Sequence, residues 1–327
     1  MNWGGKKVLI TGAGGFIGSH LAERLVTLGA NVKAFVHYNS SGKHGWLDQS
    51  LFAKEMEIQS GDICDPDSVF MAVKGQEFVF HLAALIAIPY SYISPLSYIR
   101  TNIEGTANIL RSSRTSGVER LICTSTSEVY GTALYTPIDE KHPLQGQSPY
   151  SASKIGADKM IEAFYRSFDL PVVTVRPFNT FGPRQSLRAI IPTIITQLMQ
   201  NNSINLGNLK STRDLNYIDN TVAGFIASAE NENAIGRVIN FGSGKEISIY
   251  DLAVLISSIM GKGIEISVDE NRLRPEKSEV EQLLANNSLA KSLLNWVPQV
   301  SLEEGLQKTV EWFQSNREGY NTREFVL

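Results

Sequence analysis

Several residue types and patterns are scarce in this chain of 327 residues, and each scarcity excludes a class of protein. With only two cysteines, Cys64 and Cys123, we expect neither a disulfide framework nor a zinc site. The net charge of −3 provides no basic surface for nucleic acid or for an anionic membrane. The longest apolar run, residues 78–88, contains His81 and is too short to cross a bilayer.

The first residues carry no signal-peptide pattern, because the glycines of residues 12–18 interrupt the apolar run at once. We therefore expect a soluble cytoplasmic protein with no nucleic acid, membrane or metal partner. Apolar residues make up 43% and charged residues 19%, which is ordinary globular composition with ample material for a core. The length predicts two domains or one large one, and no internal repeat or low-complexity segment is present.

A glycine-rich turn separates a predicted strand at residues 8–10 from a predicted helix at 19–28. Strand, glycine turn and helix form the context of a dinucleotide-binding fingerprint. The glycines let the backbone approach a pyrophosphate, whose charge the helix N-terminus favours. A simple tight turn is the alternative. The candidate cofactor-binding residues here are Gly12, Gly15, Phe16, Ile17 and Gly18.

The second predicted strand, residues 32–36, ends without an acidic residue. A cofactor with a free ribose 2′-hydroxyl usually meets Asp or Glu at this point. Here Asn39, Ser40, Ser41 and Lys43 follow, and such donors suit a 2′-phosphate better. The sequence therefore predicts NADP in preference to NAD. A polar loop that is indifferent to the 2′ position is the alternative.

Two further strand ends supply candidate cofactor contacts. After a third strand at 56–59, Asp62 suits the adenine amino group, or equally a helix cap, and Ile63 follows it. The fourth strand ends in small residues where backbone can pass close to a cofactor, and His81 beside them is interpreted as a packed core residue. The candidates after this strand are Leu82, Ala83 and Ala84.

Hydroxyls and a carboxylate follow the fifth predicted strand, residues 120–124. Ligands of open α/β sheets bind at the carboxyl ends of strands, so Thr126, Ser127 and Glu128 are candidates for chemistry. A turn rich in Ser and Thr that caps a helix is the alternative.

Tyr150 and Lys154 are four residues apart in a predicted helix at 150–168, and this spacing places both on one face. An ammonium beside a phenol lowers the pKa of the phenol, which can then exchange a proton with a sugar hydroxyl. A surface pair on one helix face is the alternative. Strands and helices alternate up to a sixth strand at 171–176, which predicts an α/β fold with a doubly wound parallel sheet.

Six motifs occur in a fixed order along the chain. They are TGAGGFIG at 11–18, HLAA at 81–84, STSEVYG at 125–131, YSASK at 150–154, RPFNTFGPR at 176–184 and RDLNYIDN at 213–220. Over almost its whole length the chain thereby resembles the extended short-chain dehydrogenase/reductases, in their nucleotide-sugar epimerase/dehydratase branch.

The resemblance implies a Rossmann domain that binds NAD(P) and a smaller C-terminal domain that binds a nucleoside diphosphate sugar. The first would comprise residues 1–178 with a return segment at about 215–260, and the second residues 179–214 and 261–327. The family commonly forms homodimers through a four-helix bundle, to which the helices at 102–113 and 150–168 would contribute here.

The resemblance also implies roles for matched residues. Tyr150 would be the base that oxidises the sugar at C4, Lys154 would hold the nicotinamide ribose, and Thr126 would hydrogen-bond the C4 oxygen. The residues expected to bind substrate, besides Thr126, are Asn179, Arg184, Arg213 and Arg274.

Glu128 makes the chain resemble 4,6-dehydratases, in which the carboxylate removes the C5 hydrogen and water leaves from C6. Many of them carry an acidic Asp where this chain has Ser127. The GDP-mannose dehydratases resemble this chain in having Ser there, which implies that Glu128 would act as both base and acid. Residues 272–281 resemble dehydratases of nonulosonic acid pathways, which favours UDP-N-acetylglucosamine over a GDP-linked sugar.

Other activities on the same scaffold stay open. UDP-glucuronate decarboxylases also carry STSE, and Arg184 or Arg188 would then face the sugar carboxylate. A C4 epimerase, and a dehydratase that releases a 5,6-ene, are further alternatives. A non-enzymatic NADP(H) sensor is disfavoured, because such proteins lose the Tyr or the Lys.

Overall fold

Strands and helices alternate through the first part of the chain. The computed structural model describes residues 1–273 and 275–316. Two 3-10 turns, Gly45–Gln49 and Ala53–Glu55, precede the third strand. The first elements are β1 (Lys7–Thr11), α1 (Phe16–Thr27), β2 (Asn31–His37), β3 (Glu57–Gly61), α2 (Pro66–Val73) and β4 (Phe78–His81).

The next stretch carries the motif-bearing turn and helix. It contains α3 (Ile88–Ile93), α4 (Pro95–Tyr98), a π-helical turn (Ile99–Glu104), α5 (Gly105–Ser116), β5 (Arg120–Thr124), a 3-10 turn (Ser127–Tyr130), α6 (Pro149–Phe168) and β6 (Val172–Pro177). The helix predicted at 102–113 therefore begins earlier and includes the π-helical turn. Asn102 lies in that turn, and its side chain bonds both the N–H and the carbonyl of Leu85 at 2.9 Å.

The remainder alternates less regularly. Its elements are β7 (Asn179–Phe181), α7 (Ile190–Gln200), β8 (Ser203–Leu206), β9 (Thr212–Tyr217), α8 (Ile218–Glu230), β10 (Val238–Phe241), β11 (Glu246–Ser248), α9 (Ile249–Ile259), β12 (Glu265–Val268), β13 (Gln282–Leu283), α10 (Ser288–Leu294) and α11 (Leu302–Ser315). Short 3-10 turns occur at Glu232–Ala234, Glu270–Arg272 and Glu276–Ser278.

Seven parallel strands form the main sheet in the order β10-β6-β5-β4-β1-β2-β3. The predicted Rossmann-type α/β fold is confirmed, and β10 returns to the sheet edge beside β6 as expected. The strand order reverses between β1 and β4, which is where such sheets bind ligands at the carboxyl ends of their strands. The central strands β1, β4, β5 and β6 are buried on both faces, and Val8, Leu9 and Ile10 are fully enclosed, whereas the edge strand β3 is partly exposed.

Smaller sheets pack beyond the main one. β9 pairs with β7, β11 and β13, while β8 pairs with β12. Two residues of the RDLNYIDN motif secure this region. Asp214 accepts hydrogen bonds from the N–H groups of Ser243, Gly244 and Ala285, and Asn220 accepts from two N–H groups at the start of the C-terminal segment.

In the described ranges, none of the helices has the length and apolarity needed to span a bilayer. The same ranges contain no group of three or more His, Cys, Asp or Glu side chains arranged to hold a metal ion.

Candidate active site

The glycine-rich turn is packed so closely that side chains would not fit at two of its positions. Gly12 has a φ of 72°, and a Cβ on it would lie 2.9 Å from the backbone nitrogen of Ala83. A Cβ on Gly18 would lie 2.2 Å from the carbonyl oxygen of Gly12. Gly12 therefore lets the turn pass the end of β4, and Gly18 lets α1 pack on the turn.

The N-terminus of α1 is suited to an anionic group. Its N-cap residue, Gly15, provides no side-chain cap, and no acidic residue lies in the first turn. The first N–H groups of a helix have no partner within the helix, and the helix dipole makes this end positive. The turn therefore fits the pyrophosphate of a dinucleotide, with Phe16, Ile17 and Gly18 supplying backbone donors.

A third close approach in this turn was not predicted. A Cβ on Gly14 would lie 2.4 Å from the carbonyl oxygen of His44, and the N–H of Trp46 donates to the Gly14 carbonyl at 3.0 Å. The loop after β2 is thereby fixed against the glycine turn. In the sequence, the extra glycine in GAGG is the one sign of this contact. The partners His44 and Trp46 lie about thirty residues further along the chain, and the motif does not specify them.

The loop expected to meet the 2′ position is closed by its own side chains. Asn39 accepts from the Ser41 hydroxyl at 2.6 Å and from the Lys43 N–H at 3.1 Å, and donates to the Lys43 carbonyl at 2.6 Å. Asn39 and Ser41 thus shape the loop. Ser40 and the exposed ammonium of Lys43 are the side chains left to face a ligand.

Asp62 and Ile63 also have local partners. Asp62 accepts from the Cys64 N–H at 2.8 Å, whereas Asp65 is the residue that caps α2. Ile63 is buried, with its side chain against Gly105. The cap role considered for Asp62 therefore belongs to Asp65.

His81 lies in a buried hydrogen-bonded chain, as the sequence analysis expected of a core histidine. Its Nδ1 is 2.8 Å from the Thr11 hydroxyl and its Nε2 is 3.0 Å from the Thr106 hydroxyl. Thr106 donates its only hydroxyl proton to the Asn102 carbonyl, so Nε2 must donate to Thr106 and Nδ1 must accept from Thr11. Burial lowers the pKa of His81 to about 3, which keeps the ring neutral.

Lys154 is buried and donates to the carbonyl of Thr124 at 2.6 Å. Burial lowers the pKa of its ammonium, while Asp158, one helical turn further on, raises it. The buried hydroxyl of Thr124 has no partner among the described residues. An ammonium and a hydroxyl at the end of β5 suit a polyhydroxylated ligand such as a ribose.

Tyr150 is buried, and its phenol hydrogen-bonds the Thr126 side chain. Burial raises the pKa of this phenol above its ordinary value, the Thr126 hydrogen bond lowers it, and the charge of Glu128 raises it. The expectation that Lys154 lowers this pKa is therefore wrong for the protein without ligands, because desolvation outweighs any effect of the ammonium. The Tyr98 ring packs edge-on against Tyr150, with centroids 6.2 Å apart.

Glu128 and Ser127 lie in the 3-10 turn that follows β5. The Glu128 N–H donates to the Thr126 hydroxyl at 3.2 Å, and Ser127 is buried. The turn brings Thr126, Glu128 and Tyr150 together at the carboxyl end of the sheet. Such a group can move protons to and from one bound molecule at two positions.

A buried ion pair behind this turn was not predicted. Asp158 accepts from the Ser125 hydroxyl and from the Arg176 guanidinium, each at 2.8 Å, and Arg176 also donates to the Tyr130 hydroxyl at 2.9 Å. Arg176 opens the RPFNTFGPR motif, but nothing in the sequence names its partner. The network fixes Ser125, the neighbour of Thr126.

The residues expected to bind substrate are in different situations. Asn179 has a buried side-chain oxygen without a partner in the described part of the chain. Arg213 pairs with Glu279 at 3.3 Å. Arg184 donates to Ser19 at 3.1 Å and to Glu23 at 2.9 Å, so it joins the loop after β7 to α1, and its contact with substrate stays a prediction. Arg274 lies outside the described residues.

Arg188, the other cation considered for a sugar carboxylate, acts electrostatically on a tyrosine of this region. Its charge lowers the pKa of Tyr98, which burial raises. Arg188 is exposed, and the Tyr98 ring in turn contacts Tyr150. Arg188 therefore contributes positive charge on this side of the candidate site.

The chain is similar to known proteins over most of its length. Residues 9–309 match the family described as GDP-mannose 4,6 dehydratase. UDP-glucuronic acid decarboxylase 1 of Xenopus tropicalis is 30% identical over 332 residues, which cover 98% of this chain and 75% of the relative.

Two solved structures have closely similar folds. DesIV, a dTDP-glucose 4,6-dehydratase from Streptomyces venezuelae solved with NAD bound, has a TM-score of 0.87 and 26% identity, covering 96% of this chain and 98% of that one. A UDP-N-acetylglucosamine 4-epimerase from Methanobrevibacter ruminantium M1, in complex with UDP-N-acetylmuramic acid, has a TM-score of 0.86 and 30% identity, covering 96% and 99%. The chain belongs to the GDP-mannose 4,6 dehydratase family, among the nucleotide-sugar dehydratases, decarboxylases and epimerases of the extended short-chain dehydrogenase/reductases.

Proposed function

We propose that the protein is an NAD(P)-dependent nucleotide-sugar 4,6-dehydratase. The observation that carries this proposal is the convergence of Tyr150, Thr126 and Glu128. Thr126 hydrogen-bonds the Tyr150 phenol and the Glu128 N–H, and the charge of Glu128 acts on the phenol. A phenol and a carboxylate on one bound sugar are what oxidation at C4 followed by proton removal at C5 requires.

The glycine turn, Thr124 and Lys154 would hold the dinucleotide. When bound, its nicotinamide accepts hydride from C4 of the sugar and returns it at C6. We propose NADP as the preferred form, because β2 ends without an acidic residue and Lys43 is exposed beside Ser40. NAD is the alternative, and a comparison of turnover with each cofactor decides between them.

Tyr150 acts at C4. Its phenolate takes the proton of the C4 hydroxyl while Thr126 holds the same oxygen. Lys154 would fix the ribose of the cofactor and add positive charge once the ligands are bound, which opposes the rise that burial causes in the pKa of Tyr150. The resulting C4 ketone makes the C5 hydrogen acidic.

Glu128 acts at C5 and C6. Its carboxylate removes the C5 proton and returns that proton to the C6 hydroxyl, which leaves as water. Ser127 is buried and is a poor acid at neutral pH, so it would position the leaving oxygen and leave the proton transfer to Glu128. The proton that C5 finally gains balances the one that Tyr150 removed at C4, and the net change is loss of water.

We propose UDP-N-acetylglucosamine as substrate, with Asn179, Arg213 and Arg274 as contacts to the nucleotide or its diphosphate. One guanidinium group can donate two parallel hydrogen bonds to the oxygens of a phosphate. The unpartnered oxygen of Asn179 supports a ligand contact there, and the similar epimerase acts on UDP-N-acetylglucosamine. A GDP-linked sugar is the alternative.

One experiment tests the proposal. The purified protein is incubated with cofactor and separately with UDP-N-acetylglucosamine, GDP-mannose and UDP-glucuronate, and the products are weighed by mass spectrometry. Loss of water from the first supports the proposal. Loss of carbon dioxide identifies a decarboxylase, unchanged mass with altered stereochemistry identifies an epimerase, and no turnover of any nucleotide sugar excludes an enzyme of this class.

A UDP-glucuronate decarboxylase is the second candidate, and Arg188 is the observation that favours it. This cation acts on Tyr98 beside Tyr150, where it would attract a carboxylate at C6 of the sugar. Replacement of Arg188 by Gln would then abolish decarboxylation, whereas dehydration of a neutral sugar would fall much less.

We also propose a homodimer formed by α5 and α6. The π-helical turn that leads into α5 packs closely on α6, so that a Cβ on Gly156 would lie 2.6 Å from the Ile103 side chain. Leu96 and Ile99, on the helical run before α5, are exposed, and their burial in a partner would be favourable. Light scattering on the eluting protein measures the mass that decides this.

A further inference from the structure

A cavity of about 450 Å³ lies on the side of α6 away from α5, between its C-terminal half and the β6–β10 edge of the sheet. Its volume is in the range of small-molecule sites in proteins. The walls are apolar, with Leu144, Ile161, Val172 and Val238 among them. None of the residues assigned above to the cofactor, the substrate or the chemistry lines this cavity.

Two of the lining residues form a buried ion pair that leaves polar atoms unsatisfied. Asp158 and Arg176 both line the cavity and are only 7% and 4% exposed. Their mutual contact uses Asp158 Oδ2 and an Arg176 Nη2. Asp158 Oδ1 and Arg176 Nε are buried and have no hydrogen-bond partner among the described residues. One acceptor and one donor are thus unsatisfied, which is costly unless a ligand or water pairs with them.

The rim has a surplus of positive charge. Apart from the buried pair of Asp158 and Arg176, the charged lining residues are Lys159, Arg166 and Arg237 against Glu140 and Glu162. Glu162 pairs with Lys159 and Arg166 at 2.9 Å. Both cations are exposed and Glu162 is half-buried, and surface pairs of this kind contribute little free energy that a bound anion would have to replace. Arg237 is exposed at the cavity edge.

An aromatic ring closes one side. The Tyr165 ring lies so close to the backbone of Gly236 that a Cβ there would be 2.2 Å from it. Both residues line the cavity. A planar ligand could pack against this ring and the apolar walls.

We propose that this cavity binds a nucleotide. Every nucleobase carries a hydrogen-bond donor beside an acceptor on its pairing edge, which matches the unsatisfied Oδ1 of Asp158 and Nε of Arg176. The aromatic ring and the apolar walls suit the plane of a base. The cationic rim, Arg237 above all, suits a phosphate.

The cavity is connected to the candidate active site through Asp158. This carboxylate accepts from Ser125, the neighbour of Thr126, and its charge raises the pKa of both Lys154 and Tyr150. A nucleobase that hydrogen-bonds Asp158 would therefore change the electrostatic effect of this carboxylate on the pKa of Tyr150. Occupancy of the cavity would then shift the pH dependence of the reaction.

Calorimetry tests the site on protein preloaded with excess NAD and UDP, which fill the sites of the proposed function. UMP, AMP, uridine and inorganic phosphate are the probes. We expect saturable binding of both nucleoside monophosphates, and binding of uridine and phosphate that is weaker by about tenfold or more. Equal affinity for phosphate and UMP would reduce the site to a cluster of surface cations and overturn the proposal.

Three variants locate the binding. Arg237→Glu should weaken UMP binding by about tenfold, Arg237→Lys should retain most of it, and Lys291→Glu, the same charge change on exposed α10, should have no effect. If Arg213→Ala abolishes UMP binding and Arg237→Glu does not, the nucleotide occupies the substrate site and the inference is wrong. The effect of Arg237→Glu on UMP binding can be measured whether or not NAD and UDP bind. The test of this cavity therefore gives an answer even if the proposed function fails.

A crystal soaked with UMP gives the direct answer, and water alone at Asp158 and Arg176 overturns the proposal. For the coupling, the pH profile of turnover is measured with and without UMP. We expect a shift in the wild-type protein and none in Arg237→Glu. An unshifted profile with UMP bound would show that the cavity is not coupled to Tyr150.

Discussion

The guanidinium of Arg184 lies 2.9 Å from the carboxylate of Glu23, although 161 residues separate them. Both side chains are only 18% exposed. Arg184 also has a φ of 69°, a left-handed conformation that a side chain other than glycine adopts rarely. The pair joins the loop after β7 to α1, the helix that follows the glycine turn, and holds the two against each other.

This pair gives the first prediction. In a double-mutant cycle, Arg184→Ala and Glu23→Ala should show a coupling energy of about 1 kcal/mol in unfolding free energy. Removal of the Glu23 side chain should lower the rate of catalysis as much as removal of the Arg184 side chain, because both changes break the contact between the loop after β7 and α1. If Arg184→Ala raises the KM for the nucleotide sugar strongly while Glu23→Ala leaves it unchanged, Arg184 binds substrate, as the sequence suggested, and the structural role is secondary.

Much of the fold could be predicted because its signals are local. The apolar runs, the glycine turn and the four-residue spacing of Tyr150 and Lys154 each depend on neighbours in sequence, and the parallel sheet follows from their alternation. The partner of Arg184 could not be predicted, since sequence motifs do not specify contacts across the fold. The pair of Asp158 and Arg176 was missed for the same reason.

The candidate site shows the same division. The sequence identified Thr126, Glu128 and Tyr150, which the fold brings together, but not the balance that sets the pKa of Tyr150. That balance depends on burial, which motifs do not encode, and burial outweighs the influence expected of Lys154. The π-helical turn at Ile99–Glu104 was also missed, because Asn102 satisfies backbone groups of Leu85 in a distant loop.

The second prediction concerns the pH dependence of proton removal at C4. Burial raises the pKa of Tyr150, the Thr126 hydrogen bond lowers it and Glu128 raises it. Activity that needs the phenolate should therefore rise with pH. In a plot of rate against pH, Thr126→Val should move this rising limb to higher pH, whereas Glu128→Gln should move the rising limb to lower pH.

The rate of cofactor reduction, measured from the absorbance of reduced nicotinamide, follows this first step in both variants. Thr126→Ser is the matched control, because it keeps the hydroxyl and should leave the limb near its wild-type position. Shifts in the same direction for Thr126→Val and Glu128→Gln would contradict the assignment.

The third prediction separates the two proton transfers. Glu128→Gln keeps the size and the backbone contact of Glu128 with Thr126, but it cannot take a proton. It should still oxidise the sugar at C4 and fail to release water, with a loss of dehydration of about a hundredfold or more. Exchange of the C5 hydrogen with deuterated solvent is the readout, and exchange at the wild-type rate would remove Glu128 from its role.

The fourth prediction compares two glycines of the same turn. A Cβ on Gly18 would lie 2.2 Å from the Gly12 carbonyl oxygen, whereas a Cβ on Gly15 would lie 3.2 Å from it. Gly18→Ala should force the turn apart, lower the unfolding free energy by about 1–3 kcal/mol and weaken dinucleotide binding. Gly15→Ala should do both far less. Calorimetry with NAD and NADP measures the binding, and equal losses in the two variants would show that the contact with Gly12 is unimportant.

The fifth prediction concerns stability in acid and depends on His81. Its pKa in the folded protein is about 3, against 6.5 as its ordinary value, because burial disfavours the charged ring. The unfolded chain therefore binds a proton that the folded protein does not. The stability that the neutral ring contributes is fully present above about pH 6.5 and is lost as the pH falls towards 3, at about 1.4 kcal/mol per pH unit.

His81→Gln is the matched variant, because its amide can also accept from Thr11 and donate to Thr106 but does not titrate. Denaturant unfolding between about pH 7 and pH 4 should show wild-type stability falling more steeply than that of the variant. The variant is the less stable protein at neutral pH, since a flexible amide fills the site less well than an imidazole ring, and the two curves should converge in acid. A constant difference across this range would mean that the ring is already charged, or not enclosed, in the folded protein.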